Sequence, residues 1–349
     1  MVQHYGKSIY DFFTVKEKFF ISNDSLVTES NKLTAIYRSQ RIRKFCKICE
    51  SPIPSESLFN NHGTNYYQCP ICGHINGEFD DGVEYATALY SDKKNDLYGS
   101  EYREVSEEAF VRRLDAIYVP KARFLMDTLS KIESKYKTYN YLDIGAGAGY
   151  MVGALDRFFV QASGVEVDEN QVAYANKRLG KRDRLNLINI DAMADYIRET
   201  DKQVLTFIGV LEHITNLMEI LNAIKSNTNI KYIFLSVPKI GLTCVIEAVF
   251  PEVWARHIGG GGGHTHLFTK SSLRWICEKY DFEPVASWDF GTDIMDLYRS
   301  LAVMLNKRSA SDTFITQLSD FFVAHADAMQ QIIDKTEMAS ETHMVLRAH

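Results

Sequence analysis

The chain has 349 residues, 46% of them hydrophobic and 24% charged, which suits one large globular domain and a smaller one. Its formal net charge of −6 lacks the basic excess that draws a protein to phosphate backbones, so nucleic acid is a disfavoured partner. No apolar run approaches the roughly 20 residues of a membrane span, and the opening MVQHYGKSIYDFF lacks the basic-then-apolar order of a signal peptide, so the expected address is the cytoplasm.

Residues 1–45 carry an aromatic stretch (Phe12, Phe13, Phe19, Phe20) and then a helix-like run from Thr28 to Phe45 bearing Arg38, Arg41, Arg43 and Lys44. These cations either grip phosphate or form a solvated helix face. Residues 46–80 are turn-rich and hold Cys46-Lys47-Ile48-Cys49 and Cys69-Pro70-Ile71-Cys72. Two such C-x2-C knuckles suit a tetrahedral zinc ion, and a site closed by four sulfurs is structural, which leaves His62 and His74 as bystanders. Cys244 and Cys277 stand apart in apolar surroundings, with Cys277 expected in the core.

Residues 81–136 read as an irregular connector with Gly82 and Gly99, followed by two helices between Ser106 and Ile132 interrupted at Pro120. From 137 to 349 the runs YNYLDIG, ASGVEV, LNLINI, VLTFIGV and KYIFLSV alternate with helical stretches, which predicts an α/β fold with a doubly wound, mostly parallel sheet. A helix (Lys270–Tyr280), a strand (Glu283–Phe290) and a last strand (Thr342–Ala348) follow, with a helical insertion at about 293–338 between the two strands. In the insertion Phe314, Leu318, Phe321, Phe322, His325, Met329, Ile332 and Ile333 share one helical face, which either packs on the sheet domain or meets a second copy in a homodimer.

The segment Tyr141-Leu142-Asp143-Ile144-Gly145-Ala146-Gly147-Ala148-Gly149-Tyr150 puts a glycine-rich turn directly after a buried strand and ahead of a helix. Glycines let backbone approach a ligand closely, and the helix N-terminus behind them offers N–H groups to something flat or anionic. A dinucleotide turn would be spaced G-x-G-x-x-G, but the sixth position is Tyr150, and Asp143 stands two residues before the first glycine.

The D-x-G-x-G-x-G pattern instead resembles the class I S-adenosylmethionine-dependent methyltransferases, whose fold is a Rossmann-like seven-stranded sheet. The resemblance implies that Asp143, Gly145, Ala146 and Gly147 hold the amino-acid end of the cofactor. It implies that Glu166, ending Gly164-Val165-Glu166, clamps the ribose hydroxyls beside Val167, and that Asp191 and Ala192 meet the adenine. Asp168 is read as a helix cap. The segment Ile208-Gly209-Val210-Leu211-Glu212-His213-Ile214 is similar to the family's V-L-E-H segment, which places Gly209 and Val210 beneath the cofactor and turns Glu212 and His213 to the crevice.

Across residues 46–290 the order of parts resembles bacterial methyltransferases that begin with a zinc ribbon and modify surface polysaccharides or sugar nucleotides. The match rests on the knuckles, Leu97-Tyr98 to Tyr102, the glycine turn, GVE, LEH, Ser236-Val237-Pro238 and His264-Thr265-His266 to Leu273. It implies a small-molecule acceptor, a sugar hydroxyl on a nucleotide-activated or glycan-bound substrate. Sugar C-methyltransferases carry H-E-H where this chain has His264-Thr265-His266, which argues against methylation at carbon, and the usual Asp-Pro after E-H is replaced by Thr215-Asn216, which alters the loop at the crevice rim.

An alcohol acceptor gains acidity as the new bond forms, so a base of near-neutral pKa helps, and His213, His264 and His266 are the candidates, with His266 favoured. Trp254, Arg256, His257 and Gly259–Gly263 form either a lid or a surface loop, and Arg256 is suited to grip a diphosphate. Two other readings stand beside this one: an RNA methyltransferase whose zinc ribbon reads the nucleic acid, and a non-catalytic cofactor-binding scaffold.

Overall fold

The computed structural model describes residues 8, 9, 12, 22–90, 105–180, 183–254, 257, 258 and 263–348. Phe13, Phe19, Phe20, the connector from Leu97 to Tyr102, Arg256 and Gly259–Gly262 lie outside the described residues. No helix among the described residues is long and apolar enough to cross a membrane.

Three short antiparallel strands, β1 (Phe59–Asn61), β2 (Thr64–Gln68) and β3 (Ile75–Gly77), build the cysteine-bearing module. The β1–β2 hairpin turns through His62 and Gly63, both at positive φ (49° and 72°), the conformation that matches the twist of a two-residue hairpin.

Seven further strands form one sheet: β4 (Asn140–Ile144), β5 (Gln161–Glu166), β6 (Leu185–Leu187), β7 (Val204–Ile208), β8 (Tyr232–Pro238), β9 (Glu283–Asp289) and β10 (Glu341–Arg347). Their order is β6-β5-β4-β7-β8-β10-β9, with β10 antiparallel to both neighbours and the first five strands parallel. From β4 the chain first winds outward through β5 and β6, then returns to the other side for β7 and β8. This reversal opens a crevice at the carboxyl ends of β4 and β7, where open α/β sheets bind ligands.

Strand β4 is buried on both faces, as a central strand must be: Tyr141 and Asp143 point one way, Leu142 and Ile144 the other. On the Tyr141 face the helices Val119–Ile132, Tyr150–Asp156 and Asp293–Lys307 pack over Tyr232, Phe234 and Val345. On the Leu142 face Met193–Glu199, Leu217–Ser226 and Lys270–Tyr280 cover Leu205, Phe207, Ile233 and Leu235. Cys46, Ile48, Cys69 and Cys72 belong to this second layer, so the cysteine module shares the sheet domain's core.

Three expectations are corrected. The N-terminal helix spans Asn23–Arg38, and the chain beyond it is non-helical, bridging Ile42 to Phe79 and Phe45 to Pro52. Arg43 therefore sits on no solvated helix face: its guanidinium bonds the carbonyls of Phe79 (2.8 Å) and Gly77 (3.3 Å) and the carboxylate of Asp81 (3.0 Å). Pro120 does not break the helical run either, because a π-turn at Leu114–Tyr118 takes the Val119 N–H to the Leu114 carbonyl and lets a helix restart with proline in its first turn.

In the insertion, the helix Asp312–Asp334 buries only Phe322, Ala326 and Gln330, and Phe314, Phe321 and Ile332 are exposed. The helix is held by polar bonds as well as by its stripe. Gln330 accepts the Ile294 N–H (3.0 Å) and donates to buried Asp293 (3.0 Å), which also accepts from Thr243.

Candidate active site

The turn after β4 is built from backbone conformations that only glycine adopts cheaply: Gly145, Gly147 and Gly149 have φ of 65°, 50° and 78°. A Cβ at Gly145 would come within 2.8 Å of Val210 Cγ2, so the turn lies directly on the loop after β7. A Cβ at Gly147 would meet nothing within 4 Å, so the turn opens there onto space. Behind it the helix Tyr150–Asp156 begins with its N-terminus toward this opening.

Two carboxylates flank the opening. Asp143 is 3% exposed, accepts from Thr206 Oγ1 at 2.5 Å, and has its pKa pushed up to about 7, chiefly by burial. Glu166 ends β5 and accepts N–H bonds from Gly147 (2.8 Å), Val167 (2.7 Å) and Asp168 (3.1 Å). Its carboxylate thus joins the glycine turn to the next strand. Asp168 caps the following helix, accepting from Asn170 N (2.8 Å) and Gln171 N (3.4 Å).

Asp191 and Ala192 are exposed in the short 3₁₀ turn Ile190–Ala192 after β6. Beside them lie three exposed apolar residues: Val167 (47% exposed), expected at the cofactor beside Glu166, Ile190 (56%), which opens the segment running into Asp191 and Ala192, and Leu187 (55%), to which the sequence assigns no contact. Register puts Leu187 opposite Glu166, so these side chains edge the crevice next to the carboxylate. The available signal was apolar residues at strand ends, where burial would be expected to stop.

The three histidines separate into two environments. His266 is 2% exposed; its Nε2 donates to the Ile214 carbonyl (3.0 Å) and its Nδ1 faces His74 Nε2 (3.3 Å). Burial pushes its pKa down to about 3. With both nitrogens engaged and the ring stacked on Phe268, His266 holds the cysteine module to the sheet domain with His74 as its partner, which corrects its expected role as base.

His213 and His264 lie together, ring centroids 5.0 Å apart, and Glu212 joins them: one donor atom from each of the three residues lies within 4.8 Å of the others. His213 Nδ1 donates to the Gly263 carbonyl (2.9 Å), and His264 Nδ1 donates to the His257 carbonyl (3.2 Å). The Glu212 carbonyl accepts three bonds from the facing segment: Thr265 N (2.8 Å), Thr265 Oγ1 (3.0 Å) and His266 N (3.0 Å). Two motifs some fifty residues apart in sequence are thereby one unit.

The sulfurs of Cys46, Cys49, Cys69 and Cys72 all lie within 4.8 Å of one another, with Cys46–Cys72 at 3.5 Å and Cys49–Cys69 at 3.4 Å. Four thiolates about 2.3 Å from one zinc stand about 3.8 Å apart, so the donor set fits that ion. Asn76 Nδ2 points at Cys46 Sγ (3.5 Å), the outer bond that steadies a metal thiolate. Gly73 docks the second knuckle: a Cβ there would overlap Ser271 Oγ at 2.0 Å, while Thr269 Oγ1 donates to the Gly73 carbonyl (3.0 Å). Cys277, by contrast, is buried in its helix with its thiol pKa pushed up to about 11 by desolvation.

A family model described as methyltransferase domain matches residues 110–287. The ribosomal RNA small subunit methyltransferase A of Wigglesworthia glossinidia brevipalpis is 26% identical over 83 residues, 24% of this chain and 31% of that protein, so the match spans about a third of the relative's length. Among solved structures, a SAM-dependent methyltransferase from Archaeoglobus fulgidus is similar at 13% identity, covering 65% of this chain and 94% of its own, with a TM-score of 0.40. A plantazolicin methyltransferase in complex with SAH is similar at 13% identity over 75% of this chain and 93% of its own, TM-score 0.45. A geranyl diphosphate C-methyltransferase from Streptomyces coelicolor A3(2) is similar at 15% identity over 71% and 86%, TM-score 0.39.

Proposed function

The chain belongs to the methyltransferase-domain family and is an S-adenosylmethionine-dependent methyltransferase; from that premise we propose that it methylates a hydroxyl oxygen of a small molecule, a sugar in nucleotide-activated or glycan-bound form. The observation that carries the cofactor part is the opening at Gly147, flanked by Asp143 and Glu166. Such a cradle suits a ligand with an ammonium at one end and a ribose at the other.

Bound there, S-adenosylmethionine supplies an activated methyl group, and the protein's task is alignment. Asp143 meets the ammonium, Gly145, Ala146 and Gly147 lie along the amino-acid end, and Glu166 takes the ribose hydroxyls beside Val167. Asp191 and Ala192 edge the adenine, with Leu187 and Ile190 as its apolar walls. Gly209 and Val210 form the floor, and Glu212, His213 and His264 face the acceptor. The four cysteines hold a structural zinc that keeps the second knuckle on the His264–His266 segment.

The sugar acceptor is supported by the order of motifs along the chain. An RNA acceptor is disfavoured by the net charge of −6 and by the pairing of Arg43 and Lys47 with Asp80 and Asp81, which takes these two cations away from phosphate. Thermal-shift screening of sugar nucleotides, with and without S-adenosylhomocysteine, tests the assignment. A shift with a sugar nucleotide that grows when S-adenosylhomocysteine is present is expected. A salt-dependent shift with RNA and none with any sugar nucleotide would overturn it.

A further inference from the structure

We propose that Glu212, His213 and His264 form a binding site for a divalent first-row metal ion, separate from the four-cysteine site and open toward the acceptor side of the crevice. The donor set is two imidazoles and one carboxylate, the combination that holds such ions when further positions are left for water or substrate. One donor atom from each residue already lies within 4.8 Å of the others, and Glu212 and His264 are 3% and 8% exposed. Three ligands about 2.1 Å from a common ion stand about 3.5 Å from one another, so closing on the ion takes a contraction of at most about 1.4 Å.

The tautomers are set for ligation. An imidazole that binds a metal through one nitrogen ordinarily donates its other N–H to a carbonyl or carboxylate, which fixes the ring. Both rings do so: His213 Nδ1 to Gly263 O and His264 Nδ1 to His257 O, which puts the lone pair of each on Nε2.

The carbonyl that orients His264 is itself fixed. Buried Glu247 accepts the His257 N–H (2.7 Å) and the Ile258 N–H (2.8 Å), clamping that peptide segment from the helix Leu242–Val249. On the other side, the three bonds to the Glu212 carbonyl join the two ligand-bearing segments. A lone base needs one histidine; three converging donors with supported outer bonds are the architecture of a metal site.

The ion would stand beside the cofactor turn, since Val210 packs on Gly145 and a Cβ at Gly209 would lie 3.5 Å from Glu212 Oε1. On the methyl-transfer reading, which this part alone rests on, the ion's role is to acidify the acceptor hydroxyl. The hydroxyl proton passes to solvent, an oxygen lone pair forms the new bond to the methyl carbon, and the carbon–sulfur bond breaks with its electron pair left on sulfur.

Manganese chloride is the probe, because Mn2+ disfavours thiolate and so leaves the cysteine site to zinc. Full-length protein carrying one zinc per chain is titrated by calorimetry and by the loss of the free-ion electron paramagnetic resonance signal, alongside Glu212→Gln and His264→Ala. One Mn2+ per chain is expected, weakened at least about tenfold in each variant. S-adenosylhomocysteine affinity and zinc content, measured on the same samples, establish that each variant is folded; if one is not, His213→Gln replaces it. No Mn2+ uptake by the parent protein, or equal uptake by folded variants, overturns the site. Mn2+ uptake without S-adenosylhomocysteine binding would instead overturn the cofactor pocket and leave the metal site standing.

Discussion

Cofactor binding should expel a proton from Asp143. Its carboxyl is 3% exposed and has its pKa raised from 3.8 to about 7, first by burial, against the opposing bond from Thr206 and with help from the Glu166 charge. That rise corresponds to about 4 kcal/mol against the ionised form, at roughly 1.4 kcal/mol per pKa unit. About half the molecules are therefore protonated there at pH 7, and about nine-tenths at pH 6. An ammonium placed beside the carboxyl lowers its pKa by about 2 units, so binding releases about half a proton at pH 7 and about 0.8 at pH 6. Calorimetric titration of S-adenosylhomocysteine in buffers of different ionisation enthalpy counts these protons. Asp143→Asn removes the contribution of this site while the ligand's own amino group titrates identically in both proteins. Equal proton counts in the two proteins, both still binding, would refute the placement of the ammonium against Asp143. The same shift has a stability consequence in the unliganded protein. A raised pKa means the protonated form favours folding, so its contribution is full below about pH 4 and is lost as the pH rises through 7.

Four further outcomes are expected. Glu166→Ala should weaken S-adenosylhomocysteine about a hundredfold by calorimetry, the loss of two charge-assisted hydrogen bonds worth about 1.5 kcal/mol each, and should also lower the melting temperature, because the N–H groups of Gly147, Val167 and Asp168 lose their acceptor. Gly147→Ala should abolish cofactor binding at a cost in stability of only about 1 kcal/mol, because its Cβ enters open space, whereas Gly145→Ala should lower the melting temperature further because its Cβ meets Val210 at 2.8 Å. His266 is buried neutral with its pKa near 3, so its contribution to stability is full above about pH 6.5 and lost as the pH falls toward 3. Denaturant titrations of His266→Gln should accordingly show a shallower acid decline than the parent protein. Lys121→Met should destabilise by about 3 kcal/mol in the same assay, because Lys121 Nζ is buried between Ser236 Oγ (2.8 Å) and Glu341 Oε1 (2.7 Å) and its loss takes the counter-charge from that carboxylate.

Legibility followed the range of the physical signal. The strand YNYLDI ahead of glycines, the GVE strand end and the LEH segment were readable because each is local: a short buried run, then a residue type demanded at the strand's tip. The paired knuckles were readable for the same reason. His266 was misjudged because its environment is made by His74, 192 residues away in sequence, and nothing around His264-Thr265-His266 says which imidazole will be covered. Arg43 was misjudged likewise. Its cluster of cations resembles a solvated face until the hairpin brings Asp80 and Asp81 against it. Pro120 misled because a π-turn absorbs the missing N–H, a local adjustment with no composition of its own.

The cysteine module and the histidine cluster are mechanically one assembly. Lys47, inside the first knuckle, donates to the Thr265 carbonyl and pairs with Asp81 (2.5 Å). The second knuckle offers Gly73 O to Thr269, Ile75 N to the Leu267 carbonyl (3.3 Å) and His74 to His266. His264 directly precedes these grips, and its ring is aimed from the opposite side by Glu247 through His257. Removing the cysteine module's order therefore frees one wall of the acceptor side and leaves the glycine turn, which is braced by β4, β5 and Val210, in place. Cys46→Ser should consequently release zinc on elemental analysis and raise the acceptor KM steeply, with S-adenosylhomocysteine affinity changed little. A variant that loses zinc and cofactor affinity together would mean that the module supports the whole domain rather than the acceptor wall.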